Sequence, residues 1–188
     1  IQKLMSKSTI DLSAVKAVGV GLPGIVEHST GQVVWSSLLE DRDQDLGSML
    51  EAQFGVPFAL DNDANMLTLA ELWFGVGRSM SDFAVVTIES GVGMGLVLGN
   101  ELYRGAHGMG LELGHTKVQL DGALCRCGQR GCLEAYLADY ALTREASTAL
   151  GQTFETANTP EDMLIELFDQ AKKGQQAAQT IFRRAGRY

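Results

Sequence analysis

Glu112 to Tyr136 reads ELGHTKVQLDGALCRCGQRGCLEAY, and it holds all three cysteines of the chain within eight positions. Cys125, Cys127 and Cys132 follow the pattern C-x-C-x4-C, with His115 ten positions before the first and Glu134 two positions after the last. A structural zinc ion takes four soft or borderline donors in a tetrahedron, and three thiolates with one imidazole supply such a set. Gly128 and Gly131 let the backbone turn tightly enough for a small chelate loop. On spacing alone, two other arrangements stand beside the metal. Three buried thiols with a surface histidine need no ion. A disulfide leaves one thiol over, and a reducing compartment disfavours it.

The rest of the chain bounds the problem. Its 188 residues suffice for one large domain or two small ones. No run approaches the ~18 apolar residues of a membrane span, so no membrane partner is expected. The start, IQKLMSKSTIDLSAV, lacks the apolar centre and cleavage pattern of a signal peptide. With an odd cysteine count, this points to a reducing cytoplasm. The formal net charge of -8 repels phosphate backbones, so any DNA contact belongs to a segment absent from this chain. IQKLMSK resembles the tail of an amphipathic helix, and QAAQTIFRRAGRY stops inside a helical pattern without a capping signal. Both suggest a fragment.

Strands and helices alternate, which predicts an α/β class. A buried strand is expected over Ala17 to Gly21, followed by a hairpin in IVEHSTGQVVW around Ser29, Thr30 and Gly31. DLGSMLEAQFG spaces Leu46, Met49, Leu50 and Phe54 at helical intervals before Gly55. VPFAL reads as a strand. DNDANMLTLAELWFG opens with capping residues and is expected to turn Met66, Leu69, Ala70 and Trp73 to one face. DFAVVTIE is a strand, and GMGLVLGNELYRG a hairpin around Gly99-Asn100. Beyond the cysteines the chain reads as helical to its end, with a break near TANTPED and an N-cap at Thr159 before Pro160. GVGLPG, from Gly19 to Gly24, matches the dinucleotide pattern G-x-G-x-x-G. That pattern needs its last glycine to open a helix, and here it leads into a hairpin. A tight strand-end turn is the expected role.

ELGHTKV followed by CRCGQRGCLEAY closely resembles the signature of the ROK family of repressors, open reading frames and sugar kinases. The resemblance continues through GVGLPGIV, DNDANMLTLAELWFG and GVGMGLVLGNELYRG, and so covers Gly19 to Arg144. It implies an actin-like, ribonuclease-H-like α/β fold with a zinc-bound loop, a helical C-terminal part and a sugar site in an interdomain cleft. Residues 1–60 would be the end of a first lobe and residues 61–188 a second. It implies a structural zinc held by His115, Cys125, Cys127 and Cys132, tying the His115 turn to the start of a Gly131–Tyr136 helix.

Glu112 and His115 stand at i and i+3, which on a helical turn sends both to one side. Carboxylates bind sugar hydroxyls in bidentate, charge-assisted fashion. Without the resemblance, Glu112 and Glu134 would pass for solvated glutamates, and Asp61, Asn62 and Asp63 for helix caps. With it, Glu112, His115, Glu134 and Asn62 fall at the sugar, Gly24 and Ser37 align with sugar-contacting positions, and Asp63 matches the general base of the family kinases.

TIESGVGMG separates the two activities of the family. Family kinases read Gly-Thr-Gly before the glycine run that approaches ATP phosphates, where Ser90, Gly91 and Gly93 are the candidates here. This chain instead has Glu89-Ser90-Gly91, and a carboxylate there repels phosphate. Asp63 points the other way. The family's first phosphate loop and its adenosine-binding segment are not matched in these residues. The favoured expectation is the sugar-sensing region of a transcriptional regulator, forming a homodimer or higher oligomer. The alternative is a sugar kinase fragment using ATP and Mg2+ to phosphorylate a hexose or N-acetylhexosamine. A zinc-stabilised binding protein with neither role comes third.

Overall fold

The structure, a computed structural model, describes residues 3, 6–7, 11–106, 108, 110–151 and 159–188. The helical tail expected in IQKLMSK lies mostly outside the described residues, as does the 156–158 part of the expected break. The chain packs as two compact units, Ile1–Val85 with Gly95–Leu111, and Val86–Met94 with Glu112–Tyr188. The lobe boundary expected at residue 60 falls inside a strand of the first unit.

In the first unit, β1 (Val18–Leu22) runs parallel to β4 (Phe58–Asn62), with Gly21 opposite Asp61 and Leu22 opposite Asn62. Between them come the antiparallel hairpin β2 (Ile25–Glu27) and β3 (Gln32–Trp35), then helix α1 (Leu46–Phe54). Asp45 caps α1 by accepting the Ser48 N–H, and Gly55 ends it. Leu46, Leu50 and Phe54 are half-buried as their spacing predicts, whereas Met49 is exposed. The core is Val26, Val33 and Leu60, with Val20, Leu22 and Phe58 packed against it. GVGLPG forms the end of β1 and a turn into β2, not the start of a helix.

Helix α2 (Asp63–Phe74) corrects one expectation. Its buried stripe is Ala64, Asn65 and Thr68, while Trp73 is exposed and Met66 and Leu69 only half-buried. Apolar periodicity failed here because two polar side chains are satisfied inside. Asn65 Nδ2 donates to Asp61 Oδ1 at 2.8 Å, and Thr68 Oγ1 to the Ala64 carbonyl at 2.7 Å. Three further strands, β5 (Phe83–Ile88), β6 (Val92–Leu98) and β7 (Glu101–Leu102), are ordered β5-β6-β7. The β6–β7 turn is Gly99 and Asn100, with φ of 59° and 66°, the left-handed pair that the dipeptide predicts.

The second unit carries α3 (Glu134–Leu137), α4 (Asp139–Leu150), α5 (Pro160–Lys172) and α6 (Gln176–Ala185). Ala146, Met163, Leu167, Ala178 and Ile181 form the core of the last three. Thr159 caps α5 as expected, its hydroxyl accepting the Asp162 N–H at 3.0 Å. The helix expected from Gly131 begins instead at Glu134. Gly131 has a φ of 76°, a left-handed backbone that a right-handed helix cannot include. At the far end α6 stops at Ala185, and the Gly186 N–H donates to the Phe182 carbonyl at 2.9 Å, which corrects the expectation of an uncapped end: Arg183, Arg184 and Gly186 are themselves the helix-stop pattern. Among the described residues no helix is long and apolar enough to cross a membrane.

Candidate functional site

The cysteine loop is built from two short pairings. Lys117 pairs with Cys132 and Leu124 with Arg130, both antiparallel. Backbone bonds from Val118 N to Gly131 O (2.8 Å) and from Leu133 N to Thr116 O (2.9 Å) close the first. The Gly128 N–H donates to the Cys125 carbonyl at 3.0 Å, which folds Cys127 back toward Cys132. His115 arrives on a 3-10 turn, Leu113–His115, with Glu112 just before it.

These pairings bring His115, Cys125, Cys127 and Cys132 together, with their four donor atoms all within 4.8 Å of one another. Cys127 Sγ lies 3.8 Å from Cys132 Sγ, and Cys125 Sγ lies 3.7 Å from His115 Nδ1. Bonds of ~2.3 Å from sulfur to a tetrahedral zinc put two sulfurs ~3.8 Å apart, so the spacing suits such an ion. Burial, followed among the raising causes by the Cys127 thiol and the Glu134 charge, pushes the Cys125 thiol up to about 12. An isolated thiolate is therefore unfavourable there, and a divalent cation is the partner that would remove its proton. The cluster could hold a metal ion.

Three groups around the cluster carry no sequence signal of their own. Lys117 Nζ donates to Cys132 Sγ at 3.0 Å. The Tyr140 hydroxyl faces both Cys125 Sγ (3.6 Å) and Glu134 Oε1 (3.4 Å), and burial pushes its pKa upward. The Arg126 guanidinium lies over the Tyr140 ring, 4.0 Å from its centre. Only the bridge between Lys117 and Cys132, once the loop is paired, could have pointed to the lysine.

Glu134 is more engaged than a solvated glutamate. Its Oε2 accepts the Val92 N–H at 3.2 Å, beside Gly91, and its Oε1 lies 3.6 Å from Cys125 Sγ. Glu112 and His115 do share one side, with Oε2 and Nε2 3.9 Å apart. If Nδ1 ligates a metal, Nε2 carries the proton and is free to donate.

The turn at Glu89-Ser90-Gly91 is closed by the Glu89 N–H donating to the Gly91 carbonyl at 2.9 Å. A cavity of about 560 Å3 beside it is lined by Glu89, Ser90, Asp139, Thr159, Glu161 and Leu164, so three carboxylates border it. Gly93 sits within β6.

In the first unit, Asn62 is the N-cap of α2, its Oδ1 accepting the N–H groups of Ala64 (2.9 Å) and Asn65 (3.3 Å). Its Nδ2 donates to the Gly24 carbonyl at 2.9 Å. Gly24 has a φ of 122°, and a Cβ there would overlap the Trp35 carbonyl oxygen, so glycine is required. The same packing sets Gly24 against the Ser36 backbone, with Ser37 next along the chain and exposed. Asp63 is exposed and accepts the Ala64 N–H at 2.9 Å with Oδ1. Asp61 does not cap at all. It is fully buried and bonded to Arg104.

The sequence model of the ROK family matches residues 1–188. The chain is 34% identical over 142 residues to a xylose repressor of Caldicellulosiruptor bescii, covering 76% of this chain and 36% of that protein. It also resembles the crystal structure of a ROK family glucokinase from Streptomyces griseus in complex with glucose and AMPPNP. There the TM-score is 0.77 and the identity 32%, over 92% of this chain and 58% of that one. A ROK family transcriptional regulator, described as a homolog of the E. coli MLC protein, gives a TM-score of 0.77 at 27% identity, over 93% of this chain and 44% of that one. The chain thus spans less than two thirds of the length of these relatives.

Proposed function

The chain belongs to the ROK family, and within it we propose a sugar-sensing role, as the effector-binding region of a transcriptional regulator. The observation that carries this is the surround of Glu89-Ser90-Gly91. A hairpin that cradles phosphates offers free amides and no nearby negative charge. Here Glu89, Asp139 and Glu161 border the cavity, and the Val92 amide already donates to Glu134. Such a turn disfavours a nucleotide triphosphate while leaving the sugar-binding groups intact.

The proposed sugar ligands are Asn62, Asp63, Glu112, His115 and Glu134, with Gly24 and Ser37 as further contacts. Their carboxylates would take adjacent hydroxyls in pairs. The proposed zinc at His115, Cys125, Cys127 and Cys132 is structural, since four protein donors close the tetrahedron. It would fix Glu112 and Glu134 by holding the backbone beside each. The relatives point to a hexose or a pentose, because one is solved with glucose and another is a xylose repressor. A sugar acts on a regulator only through its difference in affinity for two arrangements. In a dimer, that difference would change the spacing of DNA-reading segments outside these residues. A cytoplasmic location follows from this role.

One observation favours the kinase alternative. Asp63 presents an exposed carboxylate at the first turn of α2, suited to take a proton from a sugar hydroxyl. In that case ATP and Mg2+ would join the sugar, with Ser90, Gly91 and Gly93 facing the phosphates. Isothermal titration with D-glucose, D-xylose and N-acetylhexosamines, with and without ATP, separates the two. The regulator predicts sugar binding without turnover. Sugar-dependent conversion of ATP to ADP that yields a sugar phosphate, and that Asp63→Asn abolishes, would establish the kinase instead.

A further inference from the structure

Asp61 is fully buried, and neither proposed activity uses it. Both of its oxygens are engaged. Oδ1 accepts the Asn62 backbone N–H and the Asn65 Nδ2–H, each at 2.8 Å. Oδ2 accepts the Arg104 Nε–H at 2.8 Å. His28 Nδ1 is 3.6 Å from Oδ2 but lies closer to the Leu60 carbonyl, at 2.9 Å, so Arg104 is the principal cation. A carboxylate taken out of water keeps its charge only when paired and fully hydrogen-bonded, and this one is both.

The bonds around it form a closed circuit. Asp61 holds the Asn62 backbone, Asn62 caps Ala64 and Asn65, and the Asn65 side chain returns to Asp61. Arg104 enters from the segment after β7, and that segment is itself braced. The Tyr103 N–H donates to the Leu96 carbonyl at 2.8 Å. Gly110 packs so close that a Cβ on it would stand 2.7 Å from the Tyr103 carbonyl oxygen. The guanidinium is therefore delivered from a fixed backbone to one carboxylate oxygen, and the other oxygen orients the turn that carries Asn62 and Asp63.

We propose that Asp61 and Arg104 are positioning residues, a buried ion pair that sets the direction in which Asn62 and Asp63 leave β4. Its consequence for sugar rests on the sugar-binding role proposed above; its consequence for the turn does not.

The test uses Asp61→Asn, Arg104→Met, their double variant and Arg104→Lys. Asp61→Asn keeps the shape but sets an amide donor against Arg104 or Asn65. Two quantities are read in each: amide hydrogen exchange at Ala64 and Asn65, and affinity for D-glucose and D-xylose by calorimetry. Each single change should speed exchange at those two amides about 10-fold beyond any change at Val26 and Val33 in the core, and weaken sugar binding by a similar factor. The double variant should lose no more than the worse single variant, because both remove one shared interaction. Arg104→Lys, which keeps the charge but not the planar fork, should fall between, and serves if the others do not fold. Uniform loss of protection across the first unit with unchanged sugar affinity would overturn the proposal and leave a merely structural pair. If the wild-type chain binds none of D-glucose, D-xylose and the N-acetylhexosamines, the sugar role fails, and exchange at Ala64 and Asn65 still decides whether the pair positions the turn.

Discussion

The cysteine loop and the β4–α2 corner face the same task by different means. For the proposed function, each has to hold acidic groups in fixed directions at the start of a helix. The loop does so with four donor residues from 115 to 132, close enough in sequence to be seen as a cluster. The corner does so with Asp61 and Arg104, 43 positions apart, joined by a single 2.8 Å hydrogen bond. One device concentrates its signal locally, and the other spreads it over two residues that each look ordinary.

The comparison breaks most decisively at the loop. Cys127→Ser should abolish stoichiometric zinc, measured by elemental content, and strip amide protection from residues 116–133. The α4–α6 core, built on Met163, Leu167 and Ile181, should survive, so helical circular dichroism should change little. Sugar affinity should fall although this thiol need not touch sugar. Normal sugar binding in a metal-free variant would show that the metal does not organise the site.

The corner should respond next. Arg104→Met leaves a fully buried carboxylate without its cation, a class of change that costs about 3–5 kcal/mol. Chemical denaturation would read it, and zinc content should stay at the wild-type value. A loss under 1 kcal/mol would mean that Asp61 finds another partner, with His28 the nearest.

These contrasts explain what the sequence disclosed. The cysteine pattern, the capped start of α2, the Gly99-Asn100 turn and the Thr159-Pro160 cap were legible because each depends on neighbours within a few positions. The buried face of α2 was not, since Asn65 and Thr68 count as polar in any periodicity and are inside only because Asp61 and the Ala64 carbonyl satisfy them. The start of α3 was displaced for a related reason. Gly131 reads as a permissive residue, yet its left-handed φ is fixed by the antiparallel pairing of the loop. Lys117 and Tyr140 gain meaning only once that pairing has formed. The resemblance supplied the candidate site residues together, but it could not reveal that Glu134 also holds the Val92 amide.

Lys117 gives a smaller and sharper test at the loop. Three thiolates and a neutral imidazole around a divalent ion would leave one net negative charge, which the ammonium beside Cys132 would offset. The lysine is exposed, so solvent screens it, and Lys117→Met should weaken zinc by only about 10-fold in competition with a chelator. Lys117→Arg should recover most of that, and the difference should shrink at high salt.

The smallest effect belongs to Asp82, at the turn that precedes the Arg104 segment. Its carboxylate accepts from the Ser81 hydroxyl at 2.5 Å and from the Gly99 N–H at 2.9 Å, pinning the turn from which β7 and then Arg104 follow. The Ser81 hydroxyl first, and the Gly99 amide second, hold its pKa below the ordinary 3.8. A carboxyl with a depressed folded-state pKa contributes stability above its unfolded value and loses it as pH falls through the folded one. The Asp82 resonance should therefore titrate below 3.8, and Gly99 amide protection should decline over the same range. Asp82→Asn should remove that pH dependence. Because the group is exposed, the change should stay local to the turn, leaving the bond between Arg104 and Asp61 in place. If Ala64 exchange rose in step with Gly99, the corner would depend on the turn as well as on the ion pair, and its signal would be spread more widely still.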